Sequence, residues 1–153
     1  MKDFYKMVGF TAKEEGFRSS PYLDSVGVWT IGYGSTYLLS GSRWKQVTNK
    51  TQTISKKIAW YHLVCGIHKA HKAAKQFVNN FDTLSTVRQS VLTMMAYQLG
   101  GTGLNKFKQT KKLIENDKHK DAAIEMLDSL WSQQTPRRAQ ATSQIYYSDG
   151  WSL

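Results

Sequence analysis

The sequence has few residues that could crosslink or kink it, with one cysteine and two prolines among 153 residues. The lone Cys65 excludes an internal disulfide and indicates a chain that folds in a reducing compartment. Long apolar runs are also lacking, since the longest, over 91–100, falls far short of the roughly 18 residues of a membrane span. The first ten residues do not contain the apolar run of a signal peptide. We therefore expect a soluble protein without a membrane span.

Acidic residues are scarce as well. There are 11 Asp and Glu against 21 Lys and Arg, a formal charge of +10 and a pI near 9.7. This excess favours a polyanionic partner, such as nucleic acid, an acidic membrane or a bacterial wall. A nucleic-acid-binding module is the main alternative to an enzyme. The cations are dispersed and no DNA- or RNA-reading motif is present, so we expect no nucleic-acid partner.

Hydrophobic periodicity predicts a small mixed lobe at the N-terminus. Apolar residues at helical spacing predict a helix over 3–15, with Asp3 at its N-cap position. Over 21–39, β-forming residues punctuated by glycines predict a small antiparallel sheet, and a polar loop follows over 40–53. Ser55 can then cap a long helix with an apolar stripe, in which Cys65 would pack in the core.

The remaining sequence predicts only helices. They are expected over 84–99, 104–114 and 122–131, with glycines after 99 ending the first and a last helix beginning at Pro136. The fold class is therefore α+β and mainly helical. With 41% hydrophobic residues, the chain fits one domain of two lobes, with a ligand cleft between them. We assign 1–54 to the N-terminal lobe, 55–80 to a connecting helix and 81–153 to the helical lobe.

Three carboxylates differ from the others by their position. Glu14, Glu15 and Asp24 flank the glycine- and aromatic-rich segment, whereas most of the others are expected on exposed helix surfaces. Turns in that segment can bring a helix-end carboxylate and a hairpin carboxylate to face one gap. Two carboxylates across a gap are the minimum apparatus for glycoside hydrolysis. The nine-residue spacing alone is weak evidence, because Glu15 would also serve as an ordinary surface residue.

A longer motif surrounds this pair. It reads Glu15-Gly16-Phe17-Arg18, Pro21-Tyr22-Leu23-Asp24 and Gly27-Val28-Trp29-Thr30-Ile31-Gly32-Tyr33-Gly34. The motif resembles the phage lysozymes, the muramidase endolysins of T-even bacteriophages. Matches continue in the family's order through Gln98-Leu99-Gly100, Thr102-Gly103, Phe107, Trp131, Thr135-Pro136, Arg138-Ala139 and Trp151. The resemblance implies a two-lobed lysozyme-like fold with a small N-terminal sheet and a helical C-terminal lobe.

The resemblance also implies roles for individual residues. Glu15 matches the general acid, Asp24 the second carboxylate and Thr30 a residue that helps to hold the attacking water. Arg138 matches a residue that pairs with the acid, and the sequence leaves open whether this cation or burial dominates the protonation of that acid. The family's substrate-binding positions fall on Leu38, Tyr97, Thr110 and Glu125. Two departures concern the cleft: Glu125 stands where the best-known members carry asparagine, and Ser35 replaces a familiar histidine.

The implied activity is hydrolysis of the β-1,4 bond between N-acetylmuramic acid and N-acetylglucosamine in peptidoglycan, by inversion in a single displacement. No cofactor is implied. His68 and His71 lie at i and i+3 without a third ligand, so we expect no metal and a solvated basic face.

A wall-binding module without catalysis is a further alternative, disfavoured by the presence of Glu15, Asp24 and Thr30. The family implies a monomer that stays in the host cytoplasm until a separate holin-like pore releases it to lyse the cell.

Overall fold

The computed structural model describes residues 1–151 and confirms the mainly helical α+β class. The chain divides into two compact units. We call residues 8–68 the hairpin unit, and residues 1–7 together with the chain from 69 onward the helical unit. Helices α1 (Lys2–Glu15) and α2 (Lys56–Phe77) each contribute to both units.

Helix α1 ends where the sequence predicts. Gly16 follows it with φ +68° and donates its N–H to the Ala12 carbonyl at 3.0 Å, as a left-handed residue does beyond a helix end. The prediction of Asp3 as N-cap was wrong. Asp3 lies inside the first turn, and its carboxylate accepts hydrogen bonds from the Thr86 hydroxyl and, at 2.9 Å, from Trp151 Nε1. These partners are distant in sequence, and local pattern does not reveal them.

Two antiparallel hairpins form the sheet structure of the hairpin unit. Strands β1 (Arg18–Leu23) and β2 (Trp29–Gly32) pair with Tyr22 opposite Thr30 and with an irregularity between Arg18 and Tyr22. Strands β3 (Tyr37–Ser40) and β4 (Arg43–Gln46) form a second two-stranded sheet. The predicted polar loop over 40–53 was therefore wrong in its first part. All four residues of β4 are exposed, so the strand has no buried face that would create an alternating apolar pattern.

The long helix α2 begins as predicted, with the Ser55 hydroxyl accepting the Ile58 N–H at 3.2 Å. Its stripe of buried residues comprises Ala59, Leu63, Ile67, Ala70, Ala74 and Phe77. Cys65 is only half-buried, so the expectation of core packing was only partly right. His71 is not on a solvated face, because its ring packs against Phe81 at 5.2 Å and its Nδ1 lies 3.2 Å from the Thr93 hydroxyl.

The helical unit contains α3 (Thr86–Leu104), α4 (Lys108–Glu115), α5 (His119–Leu127), α6 (Leu130–Gln134) and α7 (Pro136–Ser148), with a short 3-10 helix over Phe81–Thr83. The predicted break is present at Gly100, which has φ +70°. The sequence-based prediction of two helix boundaries was wrong. Leu104 ends α3 instead of beginning the next helix, and the expected helix over 122–131 is divided where Ser129 caps α6 by accepting the Ser132 N–H. Within residues 1–151, every helix is too short or too polar to cross a bilayer.

Candidate active site

Glu15 lies at the end of α1, half-buried, against the turn that follows β2. A methyl group placed on Gly34 would lie 3.0 Å from Glu15 Oε2 and 3.4 Å from its Cδ, which shows how closely the carboxylate packs on this backbone. Gly34 also has φ +81°, a conformation that glycine adopts without steric cost. The tight bridge between Ile31 and Ser35, with two backbone hydrogen bonds of 2.9 Å, holds the turn in place. The turn therefore fixes one side of the Glu15 carboxylate.

Asp24 shapes the turn between β1 and β2. Its Oδ1 accepts the N–H groups of Val26 at 2.9 Å and Val28 at 2.8 Å. Its own backbone completes the turn, because Asp24 N–H donates to the Val28 carbonyl at 3.0 Å and Gly27 N–H donates to the Asp24 carbonyl at 3.1 Å. Among residues 1–151, no hydrogen bond engages Oδ2. Asp24 is thus held rigidly through one oxygen while the other is available to a ligand.

Thr30 lies in β2 and is almost fully buried, with 3% of its surface exposed. Its hydroxyl donates to the Val28 carbonyl at 3.0 Å, in the same turn that Asp24 organises. Because that bond uses the hydroxyl hydrogen, the Oγ1 lone pairs remain able to accept a hydrogen bond. Asp24 and Thr30 are therefore both positioned by the backbone around Val28.

Tyr22 lies near enough to both carboxylates to be affected by their charges, a position that the sequence alone does not single out. Burial raises the pKa of the Tyr22 hydroxyl, Arg18 opposes the shift, and the charges of Glu15 and Asp24 raise the pKa further. The Arg18 guanidinium lies over the Tyr22 ring, 4.4 Å from its centroid. One phenol therefore lies within electrostatic reach of both carboxylates, although they are nine residues apart. The only sequence signal for this position is its place in the motif, two residues before Asp24.

The sequence-predicted substrate residues are divided between the units. Leu38 is half-buried in β3 of the hairpin unit, where it lies opposite Lys45 of β4. The other three belong to the helical unit: Tyr97 on α3 and Glu125 on α5 are half-buried, and Thr110 on α4 is 2% exposed. The structure thus groups Glu15, Asp24 and Thr30 in one unit and places most of the expected sugar contacts in the other.

Arg138 lies in the first turn of α7, half-buried and with its Nη2 nitrogen enclosed. A polar network positions the beginning of that helix. Trp131 Nε1 donates to Gln98 Oε1 at 2.8 Å, and Gln98 Nε2 donates to the Thr135 hydroxyl at 3.3 Å. Thr135 directly precedes α7, so this network connects α3, α6 and the helix that carries Arg138. In the described part of the chain, no three His, Cys, Asp or Glu side chains are grouped as a metal site.

Comparison with known proteins identifies the family of the chain. The chain matches the phage lysozyme family over residues 12–143. It is 30% identical over 152 aligned residues to probable T4-type lysozyme 2 of Dictyostelium discoideum, covering 87% of this chain and 88% of that protein. It is 27% identical over 143 aligned residues to probable T4-type lysozyme 1 of the same organism, covering 82% and 84%. The chain therefore belongs to the phage lysozyme family and is a glycoside hydrolase, a lysozyme that acts on peptidoglycan.

Proposed function

We propose that this lysozyme cleaves the β-1,4 bond between N-acetylmuramic acid and N-acetylglucosamine, with Glu15 as general acid and Asp24 and Thr30 as the residues that hold the attacking water. The observation that carries this proposal is geometric: the Glu15 carboxylate packs on Gly34 in the turn that follows β2, and Asp24 builds the turn that precedes β2. It supports a shared site for two residues that belong to different elements, one at a helix end and one in a hairpin turn. Two carboxyl groups at one site are what glycoside hydrolysis requires.

The environments of the two carboxylates favour different roles. Two backbone N–H groups hold the Asp24 carboxylate through Oδ1, which suits a residue that positions a water molecule. Glu15 packs against the Gly34 backbone on one side and lies half-buried at the end of α1. A group held this way can present its proton in one direction. We therefore assign proton donation to Glu15 and water activation to Asp24.

The proposed reaction is a single displacement. Water held by Asp24 Oδ2 and Thr30 Oγ1 attacks the anomeric carbon, and Asp24 accepts a proton from it. The bond between that carbon and the glycosidic oxygen breaks, and Glu15 transfers its proton to the departing oxygen. The anomeric configuration inverts, as expected where a water fits between substrate and base.

The stereochemical outcome is measurable. Proton NMR of the first-formed reducing sugar, recorded before mutarotation, should show the α anomer. A β product would instead require a covalent intermediate on Asp24 and would overturn the assignment of Asp24 and Thr30 as water-holding residues.

Substrate binding is assigned to Leu38, Tyr97, Thr110 and Glu125. Tyr97 can stack on a sugar face, and Glu125 can accept a hydrogen bond from a sugar hydroxyl or acetamido N–H, where an asparagine could also donate. Thr110 is nearly buried, so we assign it the smallest direct contact of the four. Arg138 is assigned to support the acid, and the burial of its Nη2 nitrogen is consistent with a role in the interior of the protein.

The biological setting is proposed from the family. The protein acts as a monomer on the wall after a separate holin-like pore gives it passage from the host cytoplasm, and host lysis follows. Sedimentation velocity tests the monomer, and co-expression with and without a pore-forming partner tests the route.

The residue assignments are tested by clearing of a peptidoglycan suspension. Glu15→Gln and Asp24→Asn should each lower the rate by at least about 100-fold, the usual loss when an acid or base is removed. Glu14→Gln is the matched control, because it removes the neighbouring charge on the same helix. Clearing by Glu15→Gln at the control's rate would refute the assignment of the acid, provided circular dichroism shows that all three variants are folded.

A further inference from the structure

A group of large exposed side chains lies in the hairpin unit, outside the motif that contains Glu15 and Asp24. Tyr37, Trp44, Ile58 and Tyr61 are about half exposed, at 51%, 52%, 47% and 53%. We call these four residues the aromatic patch. Isolated exposed apolar residues are ordinary, but a group of them on one surface indicates an interaction site.

Three of the four patch residues contact one buried histidine, His62. The rings of Trp44 and Tyr61 pack edge to face on His62, with centroids 5.6 and 5.4 Å from its own. His62 Nε2 accepts the Leu39 N–H at 2.9 Å, and its Nδ1 lies 2.8 Å from the Ile58 carbonyl, to which it donates. Since an amide can only donate, these two bonds fix the neutral tautomer. His62 thus attaches the β3–β4 hairpin to α2 and connects three of the four patch residues.

The strand register adds Tyr37 to the same surface. Leu39 lies opposite Trp44, and Tyr37 lies opposite Gln46. Directly opposed residues share a face, as do residues two apart along a strand, so Tyr37 and Trp44 are diagonal neighbours. Such neighbours lie within reach of each other when their side chains are aromatic. The patch is therefore continuous from β3 across β4 to α2.

The stretch of sequence that contains the patch carries charge of one sign. No aspartate or glutamate occurs between Asp24 and Asp82, whereas eight cations do: Arg43, Lys45, Lys50, Lys56, Lys57, Lys69, Lys72 and Lys75. Arg43 and Lys45 flank Trp44 in the exposed strand β4. Lys57 precedes Ile58 and lies one helical turn before Tyr61. The patch is thus bordered by exposed cations on both the hairpin and the helix.

We propose that the aromatic patch and its bordering cations bind the surface of a lipid bilayer that carries anionic headgroups. Tyr and Trp combine an apolar body with a polar edge, and for this reason they concentrate at the headgroup level of membranes. Arg and Lys extend from the same surface toward lipid phosphates, and each such cation strengthens adsorption to an anionic leaflet.

The apolar members of the patch favour a bilayer over a dissolved polyanion. A soluble phosphate polymer would pair with Arg43, Lys45 and Lys57 but would leave the rings of Trp44 and Tyr61 in water. A bilayer interface accepts both kinds of group at once. This proposal does not depend on the catalytic assignments, because it concerns a surface that includes neither carboxylate.

The experiment is sedimentation of the intact protein with vesicles. One set contains phosphatidylglycerol and phosphatidylcholine in equal amounts, and the other contains phosphatidylcholine alone. Binding should require the anionic lipid and should weaken as salt is added. Inorganic polyphosphate and soluble glycan strands serve as competitors, and neither should displace the protein from vesicles when supplied at a charge equal to that of the lipid.

Matched variants separate the patch from overall charge. Arg43→Gln with Lys45→Gln should lower vesicle partitioning roughly 30-fold at low salt, from the usual contribution of two cations near an anionic surface. Lys106→Gln with Lys108→Gln removes the same charge from exposed positions of the helical unit and should have a clearly smaller effect. Tyr61→Gln should weaken binding on the order of tenfold. Tyr5→Gln, which changes a tyrosine that is 64% exposed on α1, should not weaken it.

The outcomes decide the proposal. Equal losses for the two charge pairs, or for the two tyrosine variants, would mean that net charge or general hydrophobicity controls binding, and would overturn it. Displacement by polyphosphate or by glycan strands would assign the surface to a soluble polymer and would also overturn it. Thermal melting of each variant verifies folding, and the exposed positions of all substituted residues favour an unchanged fold.

Discussion

Replacing Gly34 by alanine perturbs Glu15, the proposed general acid, without changing any charge. The new methyl group would lie 3.0 Å from Glu15 Oε2, whereas ordinary contacts of a Cβ atom begin near 3.4 Å. The carboxylate or the turn must therefore retreat by a few tenths of an ångström. Alanine must also adopt φ +81° at this position, which is unfavourable for a residue with a side chain.

The strained backbone should lower stability, whereas the contact with Glu15 should lower the reaction rate. The left-handed backbone costs about 1–2 kcal/mol of stability, which corresponds to a decrease in Tm of roughly 2–8 °C for a chain of this size. A displacement of about 1 Å at a reacting group can cost on the order of 100-fold in rate. A retreat of a few tenths of an ångström should therefore lower kcat by several-fold, up to roughly tenfold.

Gly41→Ala provides the control. Gly41 lies between β3 and β4 with φ +62°, and a methyl group there would meet nothing within 4 Å. It imposes a similar backbone strain without a contact to the acid. Differential scanning calorimetry measures stability, and initial rates on solubilised glycan strands at a temperature where both variants are folded measure kcat.

The expected result is a similar loss of Tm for both variants and a loss of kcat for Gly34→Ala alone. If Gly34→Ala keeps the parent kcat while its Tm falls with that of Gly41→Ala, the packing of Gly34 on Glu15 does not position the acid. That result would refute a role for the turn in catalysis and leave it a role in stability alone.

Three further perturbations test the helical unit. The Thr86 hydrogen bond is the largest cause that lowers the pKa of Asp3. Its stabilising effect should therefore be present above about pH 4 and lost as the pH falls through the lowered value. Asp3→Asn should be less stable than the parent at pH 7 by chemical denaturation, and an equal deficit at pH 2 would contradict this origin. Burial, assisted by Arg88, lowers the pKa of His119. Unfolding therefore takes up a proton below about pH 6.5, and stability should fall from pH 7 to pH 5. His119→Gln should reduce that fall, and an unchanged dependence of stability on pH would argue against His119 as its source. Ser129→Ala removes the cap of α6 and should lower the free energy of unfolding by about 1 kcal/mol. Ser132→Ala keeps the cap oxygen and should lower it by less than about 0.5 kcal/mol. Equal losses for the two variants would exclude capping as the cause.

Local sequence was sufficient where the determining contacts are local. The end of α1 at Gly16, the cap of α2 at Ser55 and the beginning of α7 at Pro136 each depend on residues within one helical turn. The turn built by Asp24 is equally local, since its partners are two and four residues away. For this reason the local structure around Glu15 and Asp24, the proposed catalytic carboxylates, could be predicted from the sequence.

Features that depend on distant contacts were not readable. Asp3 bonds to Thr86 and Trp151, and His62 bonds to Leu39 from 23 residues away. No local pattern distinguishes these side chains from ordinary polar residues on a helix. Strand β4 was not predicted for a different reason. A strand that is exposed at every position pairs through its backbone, and its side chains show no alternating hydrophobic pattern.

The turn after β2 shows how the position of Glu15, the proposed acid, depends on packing against both α1 and α2. A methyl group on Gly32 would lie 3.1 Å from Ala59 Cβ on α2, just as one on Gly34 would press on Glu15 at the end of α1. The turn is thus in close contact with α2 at Gly32 and with the end of α1 at Gly34, and neither glycine has room for a methyl group unless a neighbour shifts. Because packed interiors yield little to added volume, a shift of α2 at Ala59 would be transmitted through the turn to the Glu15 carboxylate. The position of the acid is therefore a property of the whole hairpin unit, and the motif specifies it through the small size and left-handed backbone of two glycines.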